Sequence, residues 1–541
     1  MTFKHRHQLI PHDLVVEQLT RIFDSPEFHS KPKHKKLLSY IVHQELFQHG
    51  HALKQSTIAI EVFNRPSSFD AKNDTIVRSH ARQLRAMLEQ YYKRTGQSDP
   101  IHISVPRGSY RPELIQVAMN TSNAAGNSDV EALNKPHLAP SLAVVPFTPI
   151  CEQHGVIELL SGTHDNLTTE LAKFDMITVI QTFTHPKPDS THLDIISALT
   201  TAAQTTFLLS GSIQPLDDGV RVHAKLHLTA TGEQVWAERY TLNLDTGNVF
   251  ESQDELVSLI SATIGSTFGV IHRELYQRYC QQTIVVTPEY EAALLYRHYL
   301  MTLSKERHQC AITALLALDA KGELRNGSLY GMLACLYLDT ELLGVTDYDN
   351  AVEKGSHYVK LALEFAPRSQ FSMIADYQLN RALGEVTDLE QYLDQIVTLN
   401  PNSSYLIGLC GWEMCMTGQF TKGLKTIEHA RKLNPYFPIW FSIAECVFWL
   451  MESDYQRADS LLAQINLEQH YWTHLLRAVI CSYRRNQTEA ITSYQRLLEI
   501  EPLFATDAER CIDRFVSDGD MKNKMMSAIS LIQHNYSPKH N

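Results

Sequence analysis

The sequence predicts a multidomain α+β protein built in three successive parts: a basic module of helices closed by a β-hairpin, a small mixed-sheet α/β domain, and a long all-α array. Three observations predict this. Positive charge is concentrated in the first 116 residues, which carry 17 lysines and arginines against 11 acidic residues, a net of about +6, within a 541-residue chain whose net charge is −12. Strand and helix patterns alternate between 141 and 276. From about 288 onward only helical periodicity remains, punctuated by Pro367, Pro401, Pro435 and Pro502 at intervals of 34, 34 and 67, the last close to twice 34.

A chain of this length holds about three to four domains of ordinary size. Hydrophobic residues make up 44% and charged residues 20%, which places no limit on core formation. An acidic chain argues against nucleic acid as a partner when taken whole. A basic module ahead of a body carrying about −18 reverses that reading.

Apolar spacing predicts helices at 12–24 and 33–48, the second carried by Leu37, Leu38, Ile41, Val42 and Leu46. A short helix over 54–63 and a loop over 64–73 marked by Pro66 follow. Asp74 can cap a long helix reaching Tyr92. Ile101–Val105 reads as a strand, 106–109 as a turn, and Tyr110–Leu114 as the return strand, with Pro112 favouring an edge. On the 74–92 helix, Ile76, Val77, Ala81, Leu84, Met87, Leu88 and Tyr91 share one face. Arg78, Arg82 and Arg85 form a row on the opposite side, flanked by the small Thr75, Ser79 and Ala86, while His80 lies toward the buried side. Such a row can enter the DNA major groove, where planar donors reach guanine edges or phosphates. It can equally be a solvated face with Glu89 pairing to Arg85.

The stretch Asp74–Glu89 followed by Ile101–Pro112 resembles the recognition helix and wing of OmpR/PhoB-like response-regulator winged helices. It resembles more closely a module at the N-terminus of multidomain bacterial regulators, sharing Ile58–Asp70, the Val-Arg…Arg-Leu-Arg helix, a Tyr-Tyr pair and a Pro-x-Gly-Ser-Tyr wing. The resemblance covers nearly all of 36–113. It implies that Arg78, Arg82 and Arg85, with Ser79 beside them, face the groove. Arg107 and Arg111 would meet phosphate or the minor groove, and Lys54 would touch phosphate. Tyr110 and Phe69 are implied as core or loop anchors. The chain departs from the response-regulator pattern in having no receiver domain, and it spells the arginine motif Arg82-Gln83-Leu84-Arg85.

Residues 117–140 have linker composition. Beyond them, strands are expected at Ser141–Phe147, 177–181, Phe207–Ile213, Val220–Leu228 and Gln234–Leu242. Helices are expected near 165–174, 192–203 and 249–276, and hairpin turns at Asp217–Gly219 and Thr231-Gly232. Ser141–Phe147, Leu167–Phe174, Phe207–Ile213 and Thr231–Tyr240 resemble the small α/β domain of TolB-like bacterial proteins, over 141–280. No phosphate-binding glycine loop is present, and His154, His164 and Asp165 lack a third ligand at metal spacing. Trp236 is expected in the core.

The clearest helical unit is 404–437, where Ile407, Cys410, Gly411, Met414, Gly423, Ile427, Ala430 and Pro435 alternate large and small as the tetratricopeptide pattern requires. About six units are expected across 285–520, as a tetratricopeptide-like solenoid, with a tail over 521–541. Its concave face would take a protein partner or serve as a packing or dimerisation scaffold. Tyr405, Trp412 and Trp472 would line a groove or fill a core.

The expected fold is therefore a winged helix-turn-helix, a mixed-sheet α/β domain and an all-α solenoid. The expected function is a DNA-binding transcription regulator with double-stranded DNA and a protein as partners and a possible homodimeric state. The alternative is a non-enzymatic adaptor acting through the repeats. No catalytic residue, cofactor or metal is expected. The nine cysteines form no Cys-x-x-Cys pair and are expected as buried free thiols. No secretory leader is visible. Trp440–Met451, the longest apolar run noted, is too short to span a bilayer, so a cytoplasmic protein without membrane contact is expected.

Overall fold

The computed structural model describes residues 18–19, 21–23, 25–29, 31–48, 55–63, 75–96, 99, 101–106, 108–116, 137–150, 159, 162–181, 205–217, 219–243, 249–281, 283–346, 348–386, 389–465, 467 and 470–535. The chain divides into two compact units: residues to His137 with Tyr276–Val285, and Leu138–Leu275 with Val286 onward.

In the first unit, α1 (Pro32–Gln48), α2 (Gln55–Phe63) and α3 (Ile76–Arg94) precede an antiparallel pair, β1 (Ile101–Ser104) and β2 (Glu113–Gln116). Of the helix expected at 12–24, the described positions 18–19 and 21–23 are helical. One apolar core unites Leu37, Leu38, Ile41 and Val42 of α1 with Ile58, Ala59 and Val62 of α2, the buried seam of α3, and Ile101 and Ile103 of β1. The return strand starts at Glu113 rather than Tyr110. Pro112 has no N–H for the ladder, so pairing begins after it and an eight-residue loop, 105–112, replaces a tight turn. The Tyr92 hydroxyl occupies the other edge of β1, donating to the Ile101 carbonyl at 3.2 Å and accepting from the Ile103 N–H at 2.8 Å. One side chain thereby satisfies groups that a neighbouring strand would otherwise pair.

The second unit opens with a mixed sheet. Its strands are β3 (Ser141–Val144), β4 (Thr148–Pro149), β5 (Thr178–Gln181), β6 (Phe207–Leu216), β7 (Gly219–Leu228) and β8 (Gln234–Asn243). The order is β5-β3-β6-β7-β8, with β4 also pairing to β6. β3 runs parallel to β5 and β6, while β6-β7-β8 is an antiparallel meander. The pairing Leu216↔Gly219 closes the first hairpin at the turn expected over Asp217–Gly219. Gly232, at φ +70°, serves the second. α4 (Thr163–Leu171) and α5 (Val249–Gly265) pack on each other and on the sheet. The helix expected at 192–203 lies outside the described residues, as does 117–136 of the linker expected over 117–140, whose described end includes the extended pair His137–Leu138.

The single helix expected over 249–276 is two, α5 and α6 (Val270–Cys280), broken between Gly265 and Gly269. A Cβ on Gly269 would stand 2.7 Å from the Ile264 carbonyl oxygen, so the bend itself requires glycine. Together, Val249–Cys280 is long and apolar enough to cross a membrane by length and composition, a stretch the apolar-run reading passed over, and 83% of its apolar window is buried in the fold.

The remainder is a large helical region of paired helices. The first five pairs are α7 (Pro288–Thr302) with α8 (Lys305–Ala320), α9 (Gly327–Leu343) with α10 (Ala351–Phe365), α11 (Gln370–Leu383) with α12 (Leu389–Leu399), α13 (Ser404–Met416) with α14 (Phe420–Leu433), and α15 (Ser442–Met451) with α16 (Tyr455–Leu462). The sixth is α17 (Tyr471–Tyr483) with α18 (Gln487–Ile500), before the short α19 (Ala508–Asp513). Each of the four punctuating prolines stands two residues past a second helix: Phe365 and Pro367, Leu399 and Pro401, Leu433 and Pro435, Ile500 and Pro502. Four first helices start on side-chain caps, with Thr287, Asn326, Ser369 and Ser403 accepting backbone N–H groups. At α13/α14 the backbones nearly touch, for a Cβ on Gly411 would lie 2.7 Å from the Gly423 carbonyl oxygen. Within the tail expected at 521–541, the residues described form the end of α20 (Gly519–Asn535), a helix docked through Met521, Met525, Ala528, Ile529 and Ile532, whose spacing gives one apolar face.

Several first helices are buried nearly all round. Every residue of α9 from Gly327 to Thr340 is buried, as are ten of the thirteen of α17. Tyr405, Trp412 and Trp472 are interior, 4%, 3% and 1% exposed, with Trp412 stacked on Trp472 at 5.2 Å. Of the two roles open to them, they take the core.

The sheet domain seals one end of these helices. Asp175 accepts from Ser328 Oγ at 2.9 Å, Ser369 Oγ at 3.1 Å and the Gln370 N–H at 3.0 Å, at the starts of α9 and α11. Glu170 accepts from Asn402 at 2.7 Å, and Ser266 meets Ser404 and Asn434. The opposite ends meet the C-terminal segment, where Arg381 donates to the Arg514 carbonyl and the Ser517 N–H donates to that of Met416.

Candidate nucleic-acid interface

α3 is organised by its seam. Val77, Ala81, Leu84, Leu88 and Tyr91 are buried at spacings of four and three, which fixes the helix's rotation. Arg78, Ser79, Arg82, Gln83 and Ala86 then face outward. Thr75 precedes the helix without a side-chain cap, and Asp74 lies outside the described residues. The far end is fixed by Asp99, which accepts from Gln18 at 2.5 Å and from the Tyr91 hydroxyl at 2.6 Å.

Arg85 departs from the expected row. It is half-buried, with Nε donating to the Val105 carbonyl at 2.9 Å and an Nη to the Ser109 carbonyl at 2.8 Å. Its guanidinium is therefore turned onto the loop joining β1 and β2, not aligned with those of Arg78 and Arg82. The proposed pairing of Glu89 with Arg85 is replaced by an i,i+4 pair of Glu89 with Lys93. In the loop, Gly108 takes φ +85°, and the Arg111 N–H donates to Ser109 Oγ at 3.0 Å. Arg111 is partly exposed. Tyr110 packs against the core, and burial raises its hydroxyl above the ordinary range while Arg85 and Arg78 pull it down. Arg107, Lys54 and Phe69 lie outside the described residues.

One contribution escaped the sequence reading. The run Lys31-Pro-Lys-His-Lys-Lys36 starts α1, and Lys31, Lys33 and Lys36 are exposed. His34, in the same turn, is buried and pairs with Gln83 Oε1 at 3.0 Å, which sets this lysine-rich helix start beside the outward face of α3. His34 stands 5.1 Å from the His80 ring, and His80 in turn 4.7 Å from Phe63. Burial first, and the neighbouring His80 second, hold His34 below the usual imidazole range, so it is neutral at pH 7. The available signal was the lysine density itself, four in six residues.

Elsewhere, His164 bonds to Asp165 and to the Val144 carbonyl, and among the described residues no group of three or more potential ligands converges on a metal position. His154 lies outside the described residues. Trp236 is buried. Burial pushes the thiols of Cys410, Cys415 and Cys446 up to about 12, leaving them protonated and unreactive at neutral pH.

No family model and no curated protein matches the chain. Among solved structures, TolB from Acinetobacter baumannii aligns at 18% identity and a TM-score of 0.17, over 25% of this chain and 31% of that one. A dodecameric PelC variant from Paraburkholderia phytofirmans aligns at 16% identity and a TM-score of 0.17, over 23% of this chain and 88% of that one. The chain thus spans about a third of the TolB length, and likenesses this slight leave the reading to its own residues.

Proposed function

We propose that the protein is a DNA-binding transcription regulator whose N-terminal unit is a winged helix-turn-helix. The observation that carries this reading is the outward face of α3, where the small Ser79 and Ala86 lie beside Arg78 and Arg82 on a helix whose opposite side is locked into the core. An arginine row beside small side chains can approach base edges closely. Lys31, Lys33 and Lys36 extend the positive surface toward flanking phosphates. Lys54, Arg107 and Arg111 complete the set that the sequence pattern assigns to DNA. A cytoplasmic location accords with this role.

We read the paired helices as tetratricopeptide-like repeats, supported by the 34-residue proline spacing and the Gly411–Gly423 crossing. Their interior is filled by their own aromatic residues, so a protein partner would engage outer faces rather than an open groove. The test is binding of the full-length protein to a fluorescent duplex across a salt series. A DNA reader loses affinity steeply with salt, with a log–log slope of about −0.9 per phosphate neutralised. Absence of binding at low salt overturns the reading.

A further inference from the structure

We propose that Arg85 is a positioning residue that clamps the loop 105–112 to α3, rather than a DNA-contacting member of the arginine row; the DNA consequence rests on the function proposed above, the clamp itself does not. The loop spans eight residues and includes Pro106 and Pro112, neither of which has an N–H to donate. Ties within it include the Ser109 N–H to the Pro106 carbonyl at 3.3 Å and the Arg111 N–H to Ser109 Oγ at 3.0 Å. Arg85 adds two bonds from the body of the unit, to carbonyls four residues apart on opposite sides of the Pro106–Ser109 turn, at 2.9 and 2.8 Å.

A guanidinium suits this task because its donors are coplanar and remain charged at any accessible pH. Each carbonyl receives a charge-assisted bond, and the half-buried site lessens competition from water. Beside the clamp, Tyr110 anchors the loop on the core, and its hydroxyl feels both Arg85 and Arg78. The consequence is geometric: Ser109 and Arg111 are held at a set distance from Arg78 and Arg82, so that loop and helix face a duplex together.

The experiment uses the full-length protein with R85A, R85K and R82A. Hydrogen exchange without DNA reads the clamp directly. The amides of Ser109 and Arg111 should exchange about tenfold faster in both Arg85 variants, since one ammonium cannot bridge both carbonyls, and remain unchanged in R82A. Titration of a fluorescent duplex against salt reads the consequence. R85K, although it keeps the charge, should bind about tenfold more weakly than wild type with an unchanged salt slope, whereas R82A should lower the slope by about 1. Unaltered exchange in R85A overturns the clamp. Wild-type affinity in R85K, with R85A impaired and losing slope, overturns the positioning role in favour of direct phosphate contact. If no variant and no wild type binds DNA, the functional reading fails while the exchange result still decides the clamp.

Discussion

Replacing Asp339 by asparagine should flatten the pH dependence of stability between mildly acidic and neutral pH. Asp339 is 2% exposed inside the paired helices, where its carboxyl accepts from the Tyr299 hydroxyl at 2.9 Å and from Gln378 Nε2 at 3.1 Å. Burial raises its pKa from 3.8 to about 7, against the opposing pull of those two bonds and of Arg381. Between these values the folded chain holds a proton that the unfolded chain has released. Stability therefore falls as pH rises through that window, and the loss is complete above pH 7. From pH 5 to pH 8 this amounts to about 2.5 kcal/mol for one group with those two pKa values. D339N cannot titrate. Relative to wild type, its unfolding free energy should climb by about that amount from pH 5 to pH 8, whatever constant offset the new amide introduces. Urea unfolding followed by tryptophan fluorescence is the assay, since Trp412, Trp440, Trp449 and Trp472 all lie in this region. Parallel pH curves for the two proteins would refute the buried-carboxylate argument.

Three further outcomes follow from packing. Gly411→Val should cost about 2–3 kcal/mol or more in urea unfolding, because its side chain would meet the Gly423 carbonyl and Ile427 backbone, which cannot yield as a flexible side chain could; Gly519→Ala, with open space around it, is the neutral control. Trp472→Ala should lose about 3–5 kcal/mol by emptying a 1%-exposed site stacked on Trp412, read by the same assay. Asp175→Ala should lose about 2 kcal/mol and accelerate exchange of the Gln370 amide, since it leaves that N–H, and one of the mutually bonded Ser328 and Ser369 hydroxyls, without an acceptor; unchanged exchange at Gln370 would contradict the docking role of this carboxylate.

Much of the architecture was written in local patterns. The prolines at 367, 401, 435 and 502 forecast where second helices stop, because proline cannot continue a helix and so follows its end. The Asp217–Gly219 turn and the seam of α3 were equally legible, since turn chemistry and 3.6-residue periodicity are properties of a few neighbouring residues. What escaped was what depends on long-range partners. Nothing near Arg85 in sequence announces Val105 and Ser109 as acceptors, so spacing alone put it in a row with Arg78 and Arg82. The aromatic residues Tyr405, Trp412 and Trp472 could not be assigned to groove or core, because first helices here are covered on more than one face. The role of Asp175, 153 residues from Ser328, is of the same kind. The break after Gly265 and the helix at Gly519–Asn535 were missed for a different reason. Each has an ordinary local signal, a glycine pair and a 4-3 apolar spacing, that was outweighed by the neighbouring pattern.

The central claim is that the outward face of α3 seats on duplex DNA. It is tested most directly by comparing the salt-dependent affinity of the full-length wild type with that of the Arg78→Ala, Arg82→Ala double variant on the same duplex. The account predicts binding that weakens steeply with salt in wild type and a double variant whose slope is shallower by about 2. Equal affinity and equal slope in the two proteins would contradict it.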